Sequence, residues 1–139
     1  FFYLNTGSPH YVKFVEGVKS YNVFEEGKKI RNNERFASEG TNVNFIEKTE
    51  DGIFVRTYER GVEDETLSCG TGVTASALLS AHNALGFNRV IVETPGGKLS
   101  VEFNKIDEQT FENIWLCGPA VKVFEGNIDI KSVSQQQPA

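Results

Sequence analysis

The sequence predicts an α+β fold, an antiparallel β-barrel-like sheet wrapped around one central buried helix. Three observations predict it. Short runs rich in β-branched and aromatic residues recur along the chain, separated by Gly, Pro, Asn and Ser. One segment, Thr71 to Leu85, has the length of a helix and is apolar nearly all round, which marks a buried helix rather than a surface one. The length of 139 residues suits a single domain with a real core. That domain is placed at residues 1–131, and the polar tail 132–139 is expected to be disordered. No internal repeat and no linker is visible.

Phe1-Phe2-Tyr3-Leu4 reads as strand. Gly7-Ser8-Pro9 is a tight turn, and Tyr11 to Val15 is the next strand. Tyr21 to Ile30 is a shorter helix candidate. Asn42 to Ile46 alternates polar and apolar residues, the pattern of a strand, and Ile53 to Tyr58 is another. The buried helix runs from Thr71 to Leu85, with Gly86 as its C-terminal cap. Arg89 to Thr94 and Lys98 to Phe103 flank the hairpin turn Pro95-Gly96-Gly97. Leu99, Val101 and Phe103 share one face, which is expected to be buried. Ile114 to Cys117 and Val121 to Phe124 form the last strand pair, broken at Gly118-Pro119.

Composition narrows the function classes. The net charge is -5, so a basic face for nucleic acid is not expected. No apolar run approaches the ~20 residues that span a bilayer, so no membrane role is expected. No secretory leader opens the chain, which points to the cytoplasm. Two cysteines, Cys69 and Cys117, are too few for a disulfide framework, and with two histidines they make no zinc pattern. The chain contains no methionine, so it is read as a fragment or processed piece of a longer protein.

The segment that carries chemistry runs from Tyr58 to Gly72 and joins a strand to the buried helix. It places Cys69 at the helix N-terminus. Unpaired N–H groups and the positive end of the helix dipole favour an anion there, either a thiolate or a substrate carboxylate. Gly70 and Gly72 let a ligand approach the backbone. A thiol beside a bound carboxylate is placed to remove a proton from the adjacent carbon. The structural alternative makes Cys69 a small buried hydrophobe and the glycines mere turn formers. Arg60, at a strand end, can hold a carboxylate in bidentate fashion, or form an exposed ion pair with no further role. Glu63-Asp64-Glu65 reads as a solvated acidic run before the helix.

His10 can tune a proton transfer or orient a substrate, or it is a hydrogen-bonded turn histidine. Asn42 and Asn44 can bind an amino-acid head group, or they serve turn chemistry, the stronger reading for Asn44. His82 suits the end of the helix, Cys117 an apolar strand in the core, and Lys28-Lys29-Ile30-Arg31 a solvated surface.

Taken in order, Gly7-Ser8-Pro9-His10, Asn42-Val43, Glu59-Arg60-Gly61, Glu65-Thr66 and Cys69-Gly70-Thr71-Gly72 resemble the diaminopimelate epimerase family. The resemblance runs from about Asn5 to Asp129 and fits the C-terminal half of the family's enzyme. It implies two similar halves, each a sheet around a central helix. It also implies interconversion of LL- and meso-2,6-diaminopimelate with no cofactor, neither pyridoxal phosphate nor metal. One cysteine from each half then acts as a base, and Cys69 matches the C-terminal one. Cys117 does not match the other, which belongs to the missing N-terminal half.

The resemblance further implies that Glu59 and His10 support the two cysteines, with Glu59 also among the substrate contacts. Arg60, Asn42 and Ser8 match positions that hold the distal carboxylate. Gly70 and Thr71 match the helix start that receives the reacting carboxylate. Two departures stand out: the family usually has Asn at the position of Ser8, and the run from Gly61 to Glu65 is one residue longer than the common spacing. The chemistry is coherent, because an α-proton is very weakly acidic and its removal needs preorganised donors.

The implied partners are the amino-acid substrate and the other half of the enzyme, and a homodimer is left open. A chain with one base and half a cleft is expected to lack activity alone. The implied setting is lysine and peptidoglycan precursor synthesis. Three alternatives stay open here: a related cofactor-independent racemase or isomerase, a transferase with Cys69 as acyl-accepting nucleophile and His10 as its base, and a non-catalytic ligand-binding domain.

Overall fold

A computed structural model describes residues 1–36, 39–81, 85–119 and 126–127. The strands are β1 (Phe2–Asn5), β2 (Pro9–Phe14), β3 (Asn42–Lys48), β4 (Gly52–Glu59), β5 (Asp64–Thr66), β6 (Gly86–Thr94), β7 (Gly97–Asp107) and β8 (Thr110–Cys117). The helices are α1 (Val23–Arg31) and α2 (Gly70–Ser80). The strands form one sheet in the order β1-β2-β3-β4-β6-β7-β8. β5 pairs beside β6 on β4, with Glu59 opposite Asp64.

The expected sheet around a buried helix is what the chain forms, and α2 touches every strand of that path. The pairing is mixed rather than wholly antiparallel. β2 runs parallel to β3, and β4 parallel to β6. Both parallel contacts follow from crossovers: α1 lies between β2 and β3, and β5 with α2 lies between β4 and β6.

Alternation along the strands sorts side chains between two cores. On the concave face Val12, Ile46, Ile53, Val55, Val92, Val101 and Phe103 pack around Val73, Ala75, Ala77 and Leu78 of α2. On the convex face Tyr11, Val43, Phe45 and Tyr58 pack beneath Val23 of α1. The period of two therefore puts His10 with Val12, Asn42 and Asn44 with Ile46, and Thr57 with Val55 on the side facing α2. The expected burial of the Leu99, Val101 and Phe103 face holds.

Three expectations are corrected. α2 ends at Ser80, not Leu85. Its last turn is closed by side chains, with Ser80 Oγ donating to the Ala77 carbonyl at 2.9 Å and the buried Lys105 Nζ to the Ala81 carbonyl at 3.2 Å. Leu85 is 67 % exposed, and Gly86 opens β6 instead of capping the helix. Cys117 is half-buried rather than in the core; it lies on β8, the last strand of the sheet path among the described residues, where Ile114, Trp115 and Leu116 are exposed. The acidic run does not merely precede a helix: Asp64 and Glu65 enter β5, and Glu65 accepts two hydrogen bonds from Arg56, at 2.6 and 2.5 Å. The shorter helix starts at Val23 because Asn22 caps it, accepting from the Glu25 amide. His82, the strand Val121 to Phe124 and the tail 132–139 lie outside the described residues.

Candidate active site

The site forms where the N-terminus of α2 meets the starts of β2 and β3 and the end of β4. Cys69 is the N-cap residue of α2, with extended backbone, and its carbonyl accepts from the Val73 amide at 2.8 Å. The N–H groups of the first helical turn have no partner within the helix and face outward from its end.

Gly72 seats the helix. A Cβ there would stand 2.4 Å from Asn44 Oδ1 and 3.1 Å from His10 Cε1, so only glycine lets α2 rest on that polar layer. Thr6 fastens the same turn, donating to the Thr71 carbonyl at 2.7 Å.

The structure brings Ser8, His10, Asn42, Cys69 and Thr71 together. His10 Nε2 lies 2.8 Å from Thr71 Oγ1 and 3.1 Å from Ser8 Oγ, and the two hydroxyl oxygens are 3.1 Å apart. Cys69 Sγ is 3.5 Å from Thr71 Oγ1. Asn42 donates to Ser8 Oγ and to the Pro9 carbonyl, and accepts from the Arg60 amide at 2.8 Å. It is almost fully buried, and its amide holds the Pro9 and Arg60 backbones in register.

Arg60 and Glu59 sit on the rim at the end of β4. The Arg60 guanidinium donates to the Glu39 carbonyl at 2.9 Å, which leaves further N–H groups for an anion. The Glu59 carboxylate makes no hydrogen bond or ion pair with a described residue. The longer run after it closes the β4–β5 hairpin. Gly61 and Glu63 take positive φ there, Glu63 N–H bonds the Glu59 carbonyl, and the exposed Val62 marks a turn that projects into solvent.

His10 is fully buried, and burial, followed by the positive charge of Arg60, lowers its pKa from 6.5 to about 4. The imidazole is therefore neutral near pH 7. Its link to Cys69 among the described residues runs through Thr71.

Sequence reasoning missed Thr57, whose hydroxyl donates to Asn44 Oδ1 at 2.8 Å, and set Asn44 aside as turn chemistry. Asn44 is instead fully buried in mid-strand and stands 2.9 Å from His10 Nδ1. The available signal was a polar residue at an inward position: Thr57 continues the Ile53, Val55 face. Among the described residues no three His, Cys, Asp or Glu side chains gather as a metal site. No helix of the described residues is long and apolar enough to cross a membrane.

Residues 2–123 match the family model for diaminopimelate epimerase. The chain belongs to the diaminopimelate epimerase family. The diaminopimelate epimerase of Flavobacterium psychrophilum is 48% identical over 128 residues, covering 91% of this chain and 50% of that protein. The diaminopimelate epimerase of Aquifex aeolicus is 45% identical, covering 91% of this chain and 45% of that protein. That of Chlorobaculum tepidum is 42% identical, covering 92% and 49%. The chain thus spans about half the length of these family members. Among solved structures, a phenazine biosynthesis protein of the PhzF family from Enterococcus faecalis has the same fold, with a TM-score of 0.50 at 17% identity. It covers 70% of this chain and 37% of that one.

Proposed function

We propose that this chain is the C-terminal catalytic half of a cytoplasmic, cofactor-independent diaminopimelate epimerase, acting in lysine and peptidoglycan precursor synthesis. Cys69 is one of its two bases. As a thiolate it takes the α-proton from one face of the substrate and becomes a thiol. A second thiol, supplied by the half that this chain lacks, returns a proton to the opposite face and becomes a thiolate. The reverse direction exchanges the two roles. Gly70 and Thr71 offer first-turn N–H groups to the reacting carboxylate, where negative charge grows as the proton leaves. Arg60 receives the distal carboxylate, with Ser8 and Asn42 shaping that end of the cleft. Glu59 and His10 support the cysteines, Glu59 from the rim and also as a substrate contact.

One observation carries the reading: Cys69 caps a buried helix whose N-terminal turn faces a preorganised cluster of Ser8, His10 and Thr71. The same cluster argues against acyl transfer with His10 as base. One ring nitrogen is engaged by Asn44 and the other by Thr71, so neither faces the sulfur with a free lone pair.

The test is chiral separation of products after the full-length protein is incubated with LL-diaminopimelate. The reading expects the meso isomer, and its loss in Cys69→Ala. A covalent acyl adduct on Cys69 by mass spectrometry, with no isomer formed, would replace it with the transferase. Interconversion that survives Cys69→Ala would leave a non-catalytic role for the cysteine.

A further inference from the structure

Asn44 and Thr57 lie beneath the site, buried on the inward faces of β3 and β4. Their hydrogen bonds have a fixed direction. A backbone carbonyl only accepts, so the Tyr11 carbonyl, 3.1 Å away, holds the Nδ2 side of Asn44 towards itself. Asn44 Oδ1 then faces Thr57, whose hydroxyl donates to it. The remaining Nδ2 hydrogen points at His10 Nδ1, which makes Nδ1 the acceptor and puts the proton of the neutral ring on Nε2. Nε2–H donates to Thr71 Oγ1.

A second chain arrives from the other side. The Pro9 carbonyl and the Arg60 amide fix the direction of the Asn42 side chain, which donates to Ser8 Oγ at 3.2 Å. The Ser8 hydroxyl in turn faces Thr71 Oγ1. With Nε2–H and the Ser8 hydroxyl both donating to it, Thr71 Oγ1 keeps its own hydrogen, and Cys69 Sγ is the acceptor within reach.

We propose that Asn44 and Thr57 are positioning residues that set the polarity of this relay, so that it ends in a hydrogen-bond donor aimed at Cys69 Sγ. The proposal rests on the reading of Cys69 as a base and adds two residues to its machinery. Buried chains of this kind polarise one another, so a donor direction set at Thr57 and Asn44 is felt at the sulfur. The relay needs no charge on His10, in keeping with a buried ring that stays neutral.

The test uses the full-length protein, with the His10 ring assigned by the signals lost in His10→Gln and alkylation of Cys69 read on its own peptide by mass spectrometry. Nitrogen NMR of the ring at about pH 8, above the ordinary histidine range, reads the tautomer directly. The relay predicts a protonated Nε2 and an unprotonated Nδ1. Asn44→Asp puts a carboxylate against Nδ1, moves the proton there, and turns the Thr71 hydroxyl away from the sulfur towards Nε2. Alkylation of Cys69 by iodoacetamide then slows about threefold, because the sulfur has lost the hydrogen-bond donor that stabilises its anionic form.

Thr71→Val is the second variant, with the same slowing and an unchanged ring tautomer, and it serves if a buried carboxylate prevents folding. A wild-type ring protonated at Nδ1, or alkylation unaffected by Thr71→Val, overturns the relay. Neither readout involves diaminopimelate. An inert full-length protein with an intact relay would sink the epimerase reading alone, and active enzyme with the wrong tautomer would sink the relay alone.

Discussion

At the scale of single residues, His10 couples the site to stability. Its folded pKa of about 4 lies below the ordinary 6.5, so between those values the unfolded chain binds a proton that the folded chain refuses. The sign follows: the contribution is fully present above pH 6.5, is lost as pH falls through the window, and stops changing below about pH 4. Its size is about 3 kcal/mol. Denaturant unfolding across this window is expected to show a steeper loss of stability in the wild type than in His10→Gln. Parallel curves for the two would show that the ring is not held neutral. Gly72 gives a second expectation, in which two effects oppose each other. Alanine is favoured over glycine in a helix by about 1 kcal/mol. A Cβ at Gly72, however, meets Asn44 Oδ1 at 2.4 Å, whereas at Gly70 it meets only the end of Leu116 at 3.2 Å. Overpacking against a fixed amide wins, so Gly72→Ala is expected to lower stability by about 1–3 kcal/mol and Gly70→Ala to change it far less. Equal denaturation midpoints for the two variants would contradict this seating of the helix.

At the scale of elements, Arg56 is the stitch that sequence reasoning did not see. Besides its paired bonds to Glu65 it donates to the carbonyls of Val18, Lys19 and Tyr21, tying β5 and the turn before α1 to β4. Arg56→Ala leaves those carbonyls and Glu65 without their donor, and is expected to cost about 2–3 kcal/mol in denaturant unfolding. Arg60→Ala, on the rim, is expected to change stability by under about 1 kcal/mol. The strands were legible because alternation and β-branched content are local. The buried helix was legible because it is apolar all round. Its end was not, since Lys105, distant in sequence, closes the last turn. The parallel pairings were not legible either, because alternation along one strand carries no information about the direction of its neighbour. The cysteine, the two glycines and the arginine of the site stood out as a linear motif. Asn44 and Thr57 did not, since their meaning comes only from the strands being placed side by side.

At the scale of the whole molecule, the sheet curls around α2 and leaves the helix N-terminus at one rim, with Cys69, Arg60 and Glu59 half-buried there. A two-base inversion needs a second proton donor on the opposite side of the α-carbon, and the proposed reading takes it from the other half of the enzyme rather than from Cys117 at the end of β8. The account therefore assigns the chain one face of the reaction. The most direct measurement follows LL-diaminopimelate in D₂O by proton NMR and chiral analysis. It compares the full-length protein, its Cys69→Ala variant and the 139-residue chain alone. The account predicts deuterium at the inverted α-carbon with the full-length protein, none with Cys69→Ala and none with the chain alone. Inversion with deuterium uptake by the isolated chain, or inversion that persists in Cys69→Ala, would contradict it.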